Sequence, residues 1–190
     1  MSWYAAHLDA SLDLIESASL SRRAAIIDIG GGESTLVDDL LVRGYKNVTV
    51  LDISQAAIDS SKERVGRSTE RVQWITADVS TIEFDLASFD LWHDRAVFHF
   101  LTSSNDRATY VRQVARALKP GGHLILGTFG LDGPARCSGL SVVRYDATSL
   151  LDEFGERFQL VKSIEEQHRT PFGTIQPFLY CHFRHQQPFL

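Results

Sequence analysis

The stretch Ala24-Ala25-Ile26-Ile27-Asp28-Ile29-Gly30-Gly31-Gly32-Glu33-Ser34-Thr35 decides how this chain is read. Its apolar opening, Ala24 to Ile27, predicts a buried strand. The three glycines that follow let the backbone turn sharply and come within contact distance of a ligand, which any Cβ would obstruct. Twenty residues after Gly32 stands Asp52, closing a second apolar run, Val48-Thr49-Val50-Leu51. A carboxylate at that separation falls where it can accept hydrogen bonds from the paired hydroxyls of a ribose. Two apolar strands joined through a glycine crook and ending in acidic residues are a nucleotide-site layout.

Spacing separates the ligand classes. A dinucleotide fingerprint needs G-x-G-x-x-G, and the sixth position counted from Gly30 is Thr35, so the glycine for close helix packing is missing. Asp28 also places a carboxylate at the strand tip, where a pyrophosphate is repelled and an ammonium is attracted. A dinucleotide oxidoreductase is therefore the weaker reading. Asp28-Ile29-Gly30-Gly31-Gly32-Glu33-Ser34 resembles the first motif, D/E-x-G-x-G-x-G, of the class I S-adenosylmethionine-dependent methyltransferases, with Ser34 where the third glycine usually sits.

Composition bounds the partners. A chain of 190 residues fits one domain spanning 1–190 and can bury a core without disulfides or metal. A formal net charge of −5 leaves no basic footprint for a phosphate backbone, so no nucleic-acid partner is expected. The two cysteines, Cys137 and Cys181, form no C-x-x-C pair and no basic-apolar leader opens the chain, which points to a reducing cytoplasm. No apolar run approaches the roughly 20 residues that cross a bilayer, so no membrane partner is expected. Cys137, Cys181, His168 and His182 lack metal-ligand spacing, and Cys181 and His182 as successive strand residues face opposite ways, so no metal is expected. Nothing in the sequence sets the oligomeric state.

Beyond the crook, strand and helix signals alternate as in a doubly wound sheet. A helix is predicted from about Ser34 to Arg43, ending at Gly44, and a second from a Ser54 N-cap to about Val65. Strands are predicted at Val72–Thr76, from Phe89-Asp90-Leu91-Trp92, and at His123–Leu126. A helix over about 106–118 lies before the last of these and is stopped by Lys119-Pro120-Gly121-Gly122. A short helix near 148–154 precedes two extended runs, 158–164 and 175–183, joined by Pro171-Phe172-Gly173 as a hairpin. This is similar to the class I methyltransferase architecture and implies an α/β fold. The expected form is a three-layer, doubly wound, mostly parallel seven-stranded sheet with a C-terminal antiparallel β-hairpin.

The same resemblance assigns the cofactor, S-adenosyl-L-methionine, with S-adenosyl-L-homocysteine as its product. Asp28, Gly30, Gly31, Gly32, Asp52 and Ile53 fall at the crook and second strand end. Thr76-Ala77-Asp78 looks like the adenine-recognition position, with Val79 beside it, although Asp78 can also be a helix cap or turn residue. Leu118-Lys119-Pro120-Gly121-Gly122 resembles the family's L-K-P-G-G turn.

Methyl transfer from a sulfonium is an in-line displacement, so alignment and exclusion of water matter most, and a base matters when the nucleophile arrives protonated. The expected loop after the fourth strand, Trp92 to Leu101, sets His93, Asp94 and Arg95 consecutively. His93 is the candidate general base, with Asp94 orienting it or binding substrate; the other reading has Asp94 and Arg95 pairing together or capping the next helix. His99, among Val97, Phe98 and Phe100, reads as packed. The loop lacks an (N/D)-P-P-(Y/F) tetrapeptide, which argues against methylation of nucleic-acid bases. The region 129–145 reads as a substrate-side wall, with Arg136, Arg144 and Tyr145 facing an anionic acceptor or simply exposed. His168 at the hairpin tip is a further substrate candidate, a plain turn being the other reading. Residues 1–20 suggest a helix that closes over the cofactor, bringing Trp3 or Tyr4 near the sulfonium, or a packing helix.

The resulting expectation is an enzyme moving a methyl group to a nucleophilic small molecule. A protein lysine or other side-chain acceptor, and a non-catalytic S-adenosylmethionine-binding protein, are the competing readings.

Overall fold

The computed structural model describes residues 4–186. Its frame begins with β1, Ala25–Ile29, and β2, Asn47–Asp52, which pair in parallel so that Asp28 lies beside Val50. Both strands are apolar along nearly their whole length, as a strand covered by helices on both faces must be. β3 (Val72–Thr76) adds outside β2, and β4 (Phe89–Arg95) and β5 (Leu118–Phe129) add on the other side of β1, all parallel. The long hairpin β8 (Phe158–Arg169) and β9 (Ile175–His185) completes a seven-stranded sheet of order β3-β2-β1-β4-β5-β9-β8, with β9 antiparallel to both neighbours. This is the doubly wound α/β sheet with a terminal hairpin that the sequence predicts.

Alternation along the strands sorts side chains between two apolar layers. Ile26, Leu91 and Ile125 face a layer with α1 (Asp9–Ser17) and α2 (Leu36–Val42). Ile27, Trp92, Leu124 and Leu126 face the layer of α4 (Ser104–Ala117) and α5 (Ala147–Phe154). The same parity places Asp28 and His93 on the α1 side and Asp94 on the α4 side, and this decides their chemistry below. Between β2 and β3 runs α3 (Gln55–Val65), capped by Ser54, whose hydroxyl accepts from the Ala57 amide as its sequence position predicts.

Three local expectations are corrected. β4 continues through Arg95, so Trp92 to Arg95 are strand and not loop, because their neighbours on β1 and β5 supply ladder partners up to Asp94 and Arg95. Lys119-Pro120-Gly121-Gly122 is a bulged entry into β5 rather than a separate turn; the register slips opposite Phe89 and Leu91, and Gly121 takes up the kink at φ +75°. The connection after β5 is not bare loop: β6 (Arg136–Cys137) and β7 (Leu140–Ser141) form a small separate antiparallel pair. The N-terminal helix packs into the core, with Leu12, Leu14 and Ile15 all buried. Trp3 lies outside the described residues.

Candidate active site

A cleft of about 360 Å³ opens at the carboxyl ends of the parallel strands, where the order reverses between β1 and β4. Open α/β sheets place their ligands in that crevice. The crook after β1 forms its floor. The amides of Gly30 and Gly31 both donate to the Leu51 carbonyl, at 2.7 and 3.2 Å, which folds the chain back over β2. Gly30 needs its glycine for a φ of +67°. At Gly31 a Cβ would overlap the Asp28 carboxylate, and at Gly32 it would lie 2.6 Å from both Ala57 Cβ and Asp52 Oδ2. Gly31 and Gly32 do not line the cleft; they let the turn close around the acidic residues that do.

Those acidic residues are Asp28, Asp52 and Asp78. Asp52 accepts from the Gly32 amide at 2.9 Å and from the Ser54 amide at 2.8 Å, so its carboxylate is fixed by backbone on both oxygens while each keeps acceptor capacity. Asp78 accepts the Ser80 amide and hydroxyl on Oδ1 at 2.8 and 2.7 Å. That is the turn role held open for it, and it leaves the residue exposed beside Val79 on the cleft wall. Ile53 is 71% exposed at the same rim, an apolar surface available to a planar ring.

His93 and Asp94, adjacent in sequence, serve opposite sides of the sheet. His93 is fully buried: Nδ1 lies 2.7 Å from Asp28 Oδ1 and Nε2 2.8 Å from the Ser11 hydroxyl of α1. A carboxylate only accepts, so Nδ1 carries the hydrogen, and in the neutral ring Nε2 receives the serine proton. Both nitrogens are therefore committed, and the ring borders the cleft only as part of this chain of contacts. Asp94 does not line the cleft. Its oxygens accept the Val97 and Phe98 amides at 2.9 and 3.0 Å and the Tyr110 hydroxyl, while Tyr110 accepts from the Trp92 indole at 2.9 Å. Burial pushes the Asp94 carboxyl up to about 6 despite these donors. Its geometry is that of a cap on the turn at 98–100, the alternative that the sequence left open.

Arg95 borders the cleft. Its Nε donates to the Tyr180 hydroxyl at 2.8 Å and its guanidinium lies 4.5 Å from the Phe178 ring centroid, which holds the head group in place through β9. Tyr180 donates in turn to Glu166 at 3.1 Å.

The four residues expected on the substrate side lie elsewhere. Arg136 is exposed and donates to the Gly139 carbonyl across the β6–β7 turn, and Arg144 ties down the Leu131 and Gly133 carbonyls. Tyr145 is buried against Phe98 on the α4 side. His168 belongs to β8, buried edge-on to Phe178, and not to an exposed tip. None of the four lines the cleft. Cys137 and Ser138 of the small hairpin do line it, inside the region 129–145 read as a substrate-side wall, and Phe100, Glu33 and Thr35 join them. Thr35 donates to the Ala5 carbonyl at 3.1 Å, holding the N-terminal segment with Tyr4 and Leu8 against the opening. His99 packs between Phe100 and Phe129 with neither ring nitrogen bonded, and burial lowers it to about 3, which keeps it neutral.

One atom tests what the cleft can hold. Asp28 Oδ2 is buried and bonded to nothing, a deficit of about 1–3 kcal/mol that an ammonium donor in the cleft would remove. An amino-acid head group at Asp28, a ribose at Asp52 and an adenine along Ile53, Asp78 and Val79 match these residues in order. Fold and site together define a nucleoside-binding α/β transferase. The chain belongs to the methyltransferase domain family, whose model matches residues 27–126, and its cofactor is S-adenosylmethionine.

Relatives bear different acceptors in their names. The chain is 27% identical over 123 residues to the eEF1A lysine and N-terminal methyltransferase of Mus musculus, covering 65% of this chain and 17% of that protein. It is 31% identical over 107 residues to the 27-O-demethylrifamycin SV methyltransferase of Amycolatopsis mediterranei, covering 55% of this chain and 38% of that protein. The chain thus spans less than half the length of both. Among solved structures, the 1,6-didemethyltoxoflavin-N1-methyltransferase of Burkholderia thailandensis, with its substrate and S-adenosylhomocysteine bound, superposes with a TM-score of 0.75 at 22% identity. That match covers 95% of this chain and 78% of the other, and it shows the fold alone.

Proposed function

We propose that this methyltransferase domain acts on a small acceptor whose nucleophilic group arrives ionised or as an unprotonated soft atom, held by Arg95. The observation that carries the reading is the make-up of the cleft wall beyond the crook. Among the described residues Arg95 is the lysine or arginine on that wall, which it shares with the uncharged Phe100, Cys137 and Ser138. A positive charge attracts a carboxylate, phenolate or thiolate and disfavours a lysine ammonium. The toxoflavin and rifamycin enzymes named above supply precedent for small acceptors, and the eEF1A enzymes for the competing protein acceptor.

The bound cofactor supplies an activated methyl group on a sulfonium. The chain's own residues do the rest. Asp28 holds the amino-acid end of the cofactor and Asp52 its ribose, and the glycine crook admits it. Arg95, steadied by Tyr180 and Phe178, orients the acceptor, and the apolar wall excludes water from the line of displacement. His93, proposed from sequence as the base, holds Asp28 instead, because both nitrogens are engaged; an acceptor needing deprotonation would find no free imidazole here. A cytoplasmic setting is supported by the two unpaired, buried cysteines, and among the described residues no helix is long and apolar enough to cross a membrane.

The test incubates the protein with methyl-labelled S-adenosylmethionine and fractionated cell extract. Label is expected in small anionic metabolites, and Arg95→Met is expected to raise the acceptor KM by roughly tenfold or more, the worth of a charge-assisted hydrogen bond. Cofactor affinity should hold. Label confined to protein would overturn the reading.

A further inference from the structure

We propose that Ser11, on the N-terminal helix, is a positioning residue for the amino group of the cofactor, acting through His93 on Asp28. This rests on the reading that the cleft holds an adenosyl amino-acid sulfonium, and it adds a residue that no motif marks. Ser11, His93 and Asp28 come from three elements, α1, β4 and β1, and are 0%, 0% and 2% exposed. Polar side chains this deep oppose folding unless bonded, and here two contacts, at 2.8 and 2.7 Å, bond them in a row. The row ends at Asp28, a residue of the cleft lining whose other oxygen is buried and has no partner.

The imidazole can rotate about its Cβ–Cγ bond and exchange tautomers. Ser11 restricts that freedom: its hydroxyl holds Nε2 in place while Nδ1 carries the hydrogen toward Asp28 Oδ1. With Oδ1 held, the carboxylate plane is fixed and Oδ2 stays directed at the place where an ammonium would sit. Loss of the hydroxyl leaves Nε2 unpaired in an apolar layer, and the ring and carboxylate relax together. Seating of α1 and recognition of the amino group are thereby one linked event, with the Thr35 contact to Ala5 closing the same segment over the opening.

The test compares two ligands by calorimetry, so it needs no acceptor. S-adenosylhomocysteine carries the amino-acid arm, and 5′-methylthioadenosine has the same nucleoside and a thioether without it. In Ser11→Ala the dissociation constant for S-adenosylhomocysteine should rise about tenfold while that for 5′-methylthioadenosine changes less than twofold. His93→Gln should show the same selectivity, and Ser11→Thr, which keeps the hydroxyl, should retain the parent preference. Equal weakening of both ligands would mark Ser11 as merely structural and overturn the proposal, as would no change in either. Failure of the unaltered protein to bind S-adenosylhomocysteine would overturn the cofactor reading itself, a different outcome from a lost selectivity.

Discussion

The carboxyl edge of the sheet carries two binding regions built in opposite ways. From β1 to β3 the site is shaped by backbone: the crook's amides bond Leu51 and Asp52, its glycines are required by the closeness of the neighbours, and the acidic side chains it fixes face the cleft. From β4 outward the wall is made of side chains, Arg95, Phe100, Cys137 and Ser138, brought together by a long strand pair and a short hairpin far apart in sequence. A crook packed this closely leaves little room for variation in residue type, because a Cβ either fits or does not. A wall of side chains can change its chemistry one residue at a time while the frame stays in place.

Substitution at the two regions should separate them sharply. Gly31→Ala places a methyl group against the Asp28 carboxylate and 3.1 Å from Val50 Cγ1, and neither belongs to a flexible surface chain. S-adenosylhomocysteine affinity should fall by roughly a hundredfold or more, with a lower melting temperature, since relief requires moving β1 against β2. Cys137→Ala, on the wall, should leave that affinity within about twofold. A Gly31→Ala protein that binds normally would mean the crook is looser than its packing shows.

A smaller effect distinguishes the two faces of β4. Asp94 is buried with its carboxyl raised to about 6, above the ordinary 3.8, so the folded state holds its proton more tightly than the unfolded chain. Stability from this group is therefore full below about pH 4 and declines as pH rises through about 6, by an amount on the order of 3 kcal/mol. Asp94→Asn, which keeps an acceptor for the Val97 and Phe98 amides, should flatten that part of the unfolding profile relative to the parent. Cofactor affinity should stay within about threefold, because Asp94 faces α4. If the carboxamide instead abolished cofactor binding with stability intact, Asp94 would belong to the site after all.

The sequence made the first region readable and the second not, for the same physical reason. Asp28 and Asp52 could be placed on the cleft because strand ends in a parallel sheet fall at one edge and local spacing marks them, while Ile53, Asp78 and Val79 came from the resemblance to the methyltransferase motifs. Ser54 as a cap and the strand Val72–Thr76 followed from equally local rules. His93 and Asp94 could be marked as polar residues in an apolar run, but their partners Ser11 and Tyr110 are set by which layer each side of β4 meets. Parity alone would have put them on opposite faces once Trp92 to Arg95 was read as strand. Arg136 and His168 drew notice for being charged near glycine and proline, a cue that cannot distinguish a ligand contact from a turn that bonds its own carbonyls. Cys137 and Ser138 fell inside the region 129–145 that its length marked as a substrate-side wall, but a two-residue strand is too short for any periodicity to show which of its residues face the cleft.

The smallest expected effect concerns the arginines that the wall does not use. Arg136 reaches only the Gly139 carbonyl, and Arg144 the Leu131 and Gly133 carbonyls at 2.9 and 3.2 Å, so both brace the connection between β5 and α5 from outside the cleft. Exposed contacts of this kind are worth about 0.5–1.5 kcal/mol, and water replaces much of what is lost. Arg136→Ala and Arg144→Ala should each lower the melting temperature slightly and leave the acceptor KM within about twofold of the parent, in contrast to Arg95→Met. A tenfold rise in KM for Arg144→Ala with unchanged cofactor affinity would move the acceptor outward, over residues 130–147. The wall would then be a two-cation surface suited to a larger anion than Arg95 alone can hold.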